Sequence, residues 1–197
     1  MEEVEISEGL RKKFEFVRLP ENHYFASRDK VQDTSIDLTN WFTDPVSKLG
    51  KKGLYLYSGC EGTEKGYGVG KSSIAAIICK LLISRGVLSN LWIEYDNIAT
   101  YVKYKTMFDS NQTMMQRAKG VDFLVCNEMN LKRLTQFPID SLDYLIRSRV
   151  GDRKTTIITS NMSPKQLKKI SVADSLAAIS SEAFSPCLVS GKDLRRK

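Results

Sequence analysis

The chain has one histidine, His23, and four cysteines, Cys60, Cys79, Cys126 and Cys187, with no C-x-x-C pair among them. That spacing excludes a zinc finger or ribbon and favours reduced thiols that pack as small hydrophobes. Nowhere is there an apolar run of about 18 residues, so no transmembrane helix is expected. The first residues, Met1-Glu2-Glu3-Val4-Glu5, are acidic where a secretory signal is basic and then apolar. A cytoplasmic protein with no membrane association follows as the expectation. Internal repeats and low-complexity tracts are absent too, and no arginine stands between Arg153 and Arg195.

What is present describes an ordinary globular chain. Its 197 residues suit one well-packed domain, with 42% hydrophobic and 27% charged residues. The net charge of +7 suits a polyanionic partner, because cations placed on phosphates release counterions. A well-solvated basic surface would carry the same charge. Acidic residues gather at 2–8, and basic ones at 11–18, 102–105, 165–169 and 192–197.

Residues 1–50 read as a lead-in packing on the core and 51–197 as the core itself. Within the lead-in, a basic amphipathic start ends at Leu19-Pro20, and Asp37 to Leu49 reads as one helix with Trp41 and Phe42 facing inward. The apolar, β-forming run Gly53 to Ser58 predicts a buried strand. After a glycine-rich stretch, Ser72 to Leu82 has a strong helical pattern. Leu91 to Tyr95, Phe123 to Cys126 and Thr155 to Ser160 predict further strands, with a short one near Leu188-Val189. Helices are expected across 97–108, 111–118, 141–149 and 172–181, and another opens at Ser163-Pro164 with serine as cap and proline in the first turn. Strands alternating with helices imply an α/β fold with a parallel sheet covered on both faces.

Three motifs carry chemistry. The first is Gly66-Tyr67-Gly68-Val69-Gly70-Lys71-Ser72-Ser73, between a strand and a helix. Glycines allow backbone N–H groups to face phosphate oxygens, Lys71 neutralises the β/γ-phosphates, Ser72 ligates Mg²⁺, and the helix offers its positive end. Lys65 stands where the G-x-x-x-x-G-K-[ST] form has its first glycine, so the loop reads as lengthened. The second motif is Phe123 to Glu128, a strand tipped by Asn127-Glu128 where a Walker B strand ends in Asp-Glu. Asn127 faces the metal without bringing charge, and Glu128 is the candidate general base. Weakened Mg²⁺ binding and slow hydrolysis follow, and Asn127→Asp is expected to raise turnover. The third motif is Thr156 to Asn161, where the Asn161 amide at a strand tip can sense the γ-phosphate.

In this order and spacing the motifs resemble the DnaC/DnaI helicase-loader family of AAA+ ATPases and the related IstB transposition ATPases. The version looks most like the short loader-like proteins of phages from Gram-positive bacteria. The resemblance spans roughly residues 10–197 and includes Thr159-Ser160-Asn161-Met162-Ser163-Pro164 and the closing Gly191-Lys192-Asp193-Leu194-Arg195. It implies an AAA+ P-loop core. Full loaders carry an additional N-terminal helicase-binding domain; this chain has room for little before the core, so little or no separate lid or N-terminal domain is expected. The resemblance also implies ATP and Mg²⁺ as cofactors, self-association, single-stranded DNA and a replicative DNA helicase as partners. Family members carry arginines in the segment aligned with Ser175 to Ser180, one of them the finger that reaches a neighbour's γ-phosphate. Here there is none, leaving Arg149 and the tail pair Arg195-Arg196 as finger candidates, with Arg195 assigned to the nucleotide. Weak ATPase activity follows. The alternative is a non-catalytic nucleotide-binding adaptor that captures or inhibits a helicase or its loader.

For DNA contact, Tyr101, Lys103, Tyr104 and Lys105 interleave aromatics with cations, a combination that stacks bases and tracks a backbone. A half-buried amphipathic helix would carry the same residues. A nucleotide kinase is a further P-loop reading, with Arg147, Arg149 and Arg153 aimed at phosphates, but the Thr-Ser-Asn strand tip favours the AAA+ reading.

Overall fold

The computed structural model describes residues 6–31, 33–58, 68–95, 109–129, 136–169 and 182–194. Five strands, β1 (Gly53–Tyr57), β2 (Asn90–Glu94), β3 (Phe123–Met129), β4 (Thr155–Ser160) and β5 (Phe184–Leu188), form one sheet. Their order is β2-β3-β4-β1-β5 and every pairing is parallel. Helices α1 (Glu8–Phe16), α2 (Thr39–Thr43), α3 (Lys71–Ser84), α4 (Asp109–Gly120), α5 (Gln136–Gly151) and α6 (Pro164–Leu167) accompany it. The sheet is thus the parallel, helix-flanked one that the alternating pattern predicts.

Both faces of the sheet are buried, which is why its strands read as nearly continuous apolar runs. Side chains alternate across it. Tyr55, Leu91, Ile93, Leu124, Cys126 and Ile158 pack with Leu142, Leu145 and Ile146 of α5 and Ala118 of α4. Leu54, Leu56, Trp92, Phe123, Val125 and Ile157 belong to the other layer, with Ile74, Ile78 and Leu82 of α3. Each of these three α3 side chains is fully buried, worth about 1.5–3 kcal/mol apiece relative to exposure.

The early residues complete that second layer. Phe14, Val17, Leu19, Tyr24, Leu38 and Trp41 all bury in it. The Trp92 N–H on edge strand β2 donates to the Val17 carbonyl at 2.8 Å, so the end of α1 covers a group that an open edge would expose. Lys80 of α3 donates to the carbonyls of Tyr24 and Ala26 at 2.7 and 2.5 Å. Thr34 bridges antiparallel to Val189, just past β5.

Three local expectations need correction. Asp37 to Leu49 is two short pieces, α2 and a 3₁₀ turn at Val46–Lys48, and not one helix. Asp44 before Pro45 takes φ −140° and ψ 68°, since a residue before proline is pushed out of the α region. Strand β3 continues through Asn127 and Glu128 to Met129, and the last strand lies at Phe184–Leu188, slightly earlier than expected. Ser163 caps α6 as expected, accepting from the Gln166 N–H at 3.2 Å, while its own N–H donates to Gln166 Oε1 at 2.7 Å. The helices expected at 97–108 and 172–181 lie outside the described residues. No described helix is long and apolar enough to cross a membrane.

Candidate nucleotide-binding site

The carboxyl ends of β1, β3 and β4 and the amino end of α3 meet at one place, where open parallel sheets bind ligands. Gly68 and Gly70 have φ of +73° and +97°, and Gly70 caps α3 in the left-handed region, a turn that glycine makes without steric cost. Val69 between them is 2% exposed and belongs to the core, which leaves only its backbone for a ligand. The closing segment braces this loop: the Leu194 N–H donates to the Gly68 carbonyl at 3.0 Å. A Cβ at Gly68 would stand 1.8 Å from Asp193 Oδ1.

Lys71, in the first turn of α3, is buried, and its Nζ donates to Ser58 Oγ at 3.0 Å. Ser58 follows β1 directly and donates in turn to Asn161 Oδ1 at 3.4 Å. The cation is therefore held at the sheet's carboxyl edge within two contacts of Asn161. Ser73, the next residue but one, is half-buried.

A second network lies beside the first. Asn127 Oδ1 accepts from Ser72 Oγ at 2.8 Å and from Thr159 Oγ1 at 2.7 Å, and the Thr159 hydroxyl accepts the Glu128 N–H at 2.8 Å. Asn127 Nδ2 donates to both oxygens of Glu94, at 3.1 and 3.0 Å. Glu128 has φ +55° where the β3–β4 register slips, and its side chain is exposed. A charged side chain held in a left-handed backbone at a strand tip is local strain of the kind that collects at active sites.

These atoms fit Mg²⁺. A serine hydroxyl joined to an amide oxygen, with a carboxylate behind it, is an all-oxygen set of hard donors, the type that Mg²⁺ takes when phosphates and water fill its other positions. No cluster of three or more histidine, cysteine or acidic residues that could cage a metal exists among the described residues.

The structure thus brings Gly68, Val69, Gly70, Lys71, Ser72, Asn127, Glu128 and Asn161 to one end of the sheet. Gly66, Tyr101, Lys103, Tyr104, Lys105 and Arg195 lie outside the described residues. Ser58 and Glu94, which no motif singles out, also reach the site, as do Thr159 of the third motif and Asp193 of the closing Gly191 to Arg195 segment. Only the register, which pairs Glu94 with Asn127 across β2 and β3, could reveal the first acid.

Arg149 corrects a sequence-based expectation. It is fully buried and donates to the carbonyls of Ala118, Val121 and Thr155 at 2.6–2.7 Å and to Thr156 Oγ1 at 2.8 Å. Burial pulls its pKa down to about 10, still charged at neutral pH. An arginine spent on the interior cannot reach a neighbour's phosphate, so Arg149 is no finger. Cys79, Cys126 and Cys187 are buried free thiols, as their spacing suggests, and burial pushes the first two up to about 12.

Solved structures share this architecture. A protein described as a primosome component from Streptococcus pyogenes serotype M3 matches with TM-score 0.67 at 19% identity, over 95% of this chain and 98% of its own. DnaI matches with TM-score 0.65 at 20% identity, over 89% and 93%. The fold is that of the DnaC/DnaI-type loaders. The replication initiator DnaA, bound to AMPPCP and single-stranded DNA, shares the AAA+ core with TM-score 0.62 at 15% identity, over 84% of this chain and 50% of its own. No family model and no curated protein matches the sequence. The AAA+-type α/β core that the motifs predict is therefore the fold observed.

Proposed function

We propose that the chain binds ATP with Mg²⁺ and acts in DNA replication as a helicase-loader-like protein with slow hydrolysis. The observation that carries this reading is the 2.8 Å bond from Ser72 to Asn127 at the mouth of a parallel sheet, with Lys71 one residue earlier in the same helix turn. In this reading residues 1–50 are a lead-in and 51–197 the ATPase core.

Each residue then has a task. The amino end of α3 and the backbone at 68–70 receive phosphate oxygens, and Lys71 leaves Ser58 to neutralise them. Ser72 and Asn127 hold the metal side, where Mg²⁺ supplies charge neutralisation of the phosphates. Glu128 orients water and takes its proton. Asn161 touches the γ-phosphate in this reading, which is supported by its accepting from Ser58, the same hydroxyl to which Lys71 donates. Asn127 gives the metal no charge of its own, which slows the reaction.

Single-stranded DNA and a replicative helicase are the partners in this reading. The +7 charge supports the first, and the likeness to the primosome component and DnaI supports the second. Cytoplasmic location and phage kinship belong to the same proposal. A non-catalytic adaptor that captures a helicase or its loader is the second reading, favoured by Asn127 and the arginine-free stretch. ATP turnover measured alone, with a single-stranded oligonucleotide and with a replicative helicase separates the two. Slow turnover stimulated by either partner supports the loader; bound but unhydrolysed ATP under all conditions supports the adaptor.

A further inference from the structure

We propose that Glu94 supplies the negative charge that Asn127 lacks, as a positioning residue that acts on the metal side of the site through the Asn127 amide. This rests on the nucleotide-binding reading above. The acid has moved one strand over, from β3 to β2.

The register makes the move possible. Glu94 and Asn127 are direct partners across the parallel pair β2 and β3, so their side chains leave the same face of the sheet at one level. Glu94 is half-buried and fixed from two sides: Oε1 accepts from Trp92 Nε1 at 2.7 Å, and both oxygens accept from Asn127 Nδ2 at 3.1 and 3.0 Å.

The amide transmits the charge. An ionised carboxylate can only accept, so it compels the Asn127 NH₂ to face Glu94 and the carbonyl oxygen to face Ser72 and Thr159. Without the acid, the two hydroxyls could donate or accept and would tolerate either orientation. A carboxylate on the NH₂ side also polarises the amide, which makes Oδ1 a stronger acceptor at the point where Ser72 meets the metal side. A neutral amide thereby presents part of what an aspartate would.

The sequence-based expectation for Asn127→Asp changes accordingly. An aspartate at 127 in the wild-type background would face a second carboxylate about 3 Å away, replacing a donor–acceptor contact with two acceptors of like charge. The metal-free protein should lose stability in that variant. Glu94→Gln in the same chain should restore it, because the glutamine amide can donate to the new acid.

The test is a four-member cycle: wild type, Glu94→Gln, Asn127→Asp and the double variant. Binding of mant-ATP is followed across Mg²⁺ and Mn²⁺ titrations, with melting of the metal-free proteins as the fold control. Glu94→Gln is nearly isosteric and retains an acceptor for both Trp92 and Asn127, so a purely structural acceptor predicts no change in metal dependence. We expect the apparent metal affinity at the nucleotide site to fall by about 10-fold or more in Glu94→Gln, the range for losing an outer-shell partner. In the Asn127→Asp background the same change should cost nothing, and the double variant should bind metal at least as tightly as wild type. An unchanged metal dependence in Glu94→Gln, or equal losses in both backgrounds, overturns the proposal while leaving nucleotide binding intact. If wild type binds no mant-ATP under any condition, the nucleotide-binding reading fails and this inference with it.

Discussion

At the scale of single residues, strain and burial separate chemistry from scaffolding. Glu128 holds φ +55°, a conformation that costs a non-glycine residue about 1–2 kcal/mol, with its side chain exposed. Glu128→Gly should therefore stabilise the ligand-free protein in urea by about 0.5–1 kcal/mol, the strain relieved less glycine's larger unfolded-state entropy. It should also abolish ATP turnover and leave ATP affinity nearly unchanged. A loss of stability in that variant would show that the carboxylate serves the fold. Arg149 is the opposite case. Arg149→Ala would leave the carbonyls of Ala118, Val121 and Thr155 without their donor, and should cost on the order of 3–5 kcal/mol in urea denaturation. Full stability with lost assembly would restore it as a finger. The roles of these two residues were unequally visible in the sequence. Glu128 follows a hydrophobic strand and reads as a general base, whereas Arg149 lies in a helix whose pattern does not say that one turn faces inward with a guanidinium.

At the scale of elements, the strands and the phosphate-binding helix were legible because burial on both sheet faces writes itself as apolar runs such as Leu54-Tyr55-Leu56 and Ile74 to Leu82. The break at Asp44-Pro45 was missed although the proline marks it, because Trp41, Phe42 and Leu49 continue a helical period across it. Part of the site was legible in the same way: Lys71, Ser72, Asn127 and Asn161 stand at element ends that periodicity locates. Glu94 and Ser58 were not, since their partners lie 33 and 13 positions away and only strand order and register bring them together. The segment closing the chain is the element to probe here. Asp193 sits against Gly68, and the Leu194 N–H bonds to the Gly68 carbonyl, so the phosphate loop is braced from outside the motif. Gly68→Ala should collide with that brace at a φ of +73°, destabilising the protein and weakening ATP binding together, readable by melting and calorimetry on one sample. Normal melting and normal affinity would show that the loop tolerates a side chain there.

At the scale of the whole molecule, charge and missing arginines bear on the proposed partners. Between Arg153 and Arg195 no arginine is available to complete a neighbour's γ-phosphate pocket, and trans arginines of this kind contribute about 10³–10⁵ in rate in GTPases. ATP-driven assembly should be weak, with monomers or dimers in light scattering even with ATP and a single-stranded oligonucleotide. A stable hexamer or filament lost on Arg195→Ala would show that the tail supplies the finger. Binding to single-stranded DNA should weaken steeply with salt and tolerate sequence changes, as phosphate neutralisation and stacking require. Charge reversal of Lys103 and Lys105 should lower both the affinity and the salt slope; an unchanged slope would move the contact to Lys165, Lys168 and Lys169, which are exposed around the end of α6. All of these outcomes depend on one central claim, that the glycine-rich loop and α3 form a working nucleotide site. Calorimetric titration of ATP with Mg²⁺ into wild type and Lys71→Ala tests it most directly. The account predicts saturable binding by wild type and none by Lys71→Ala, with a cooperative melting transition in both ligand-free proteins showing that each is folded; equal binding by both, or none by wild type, would contradict it.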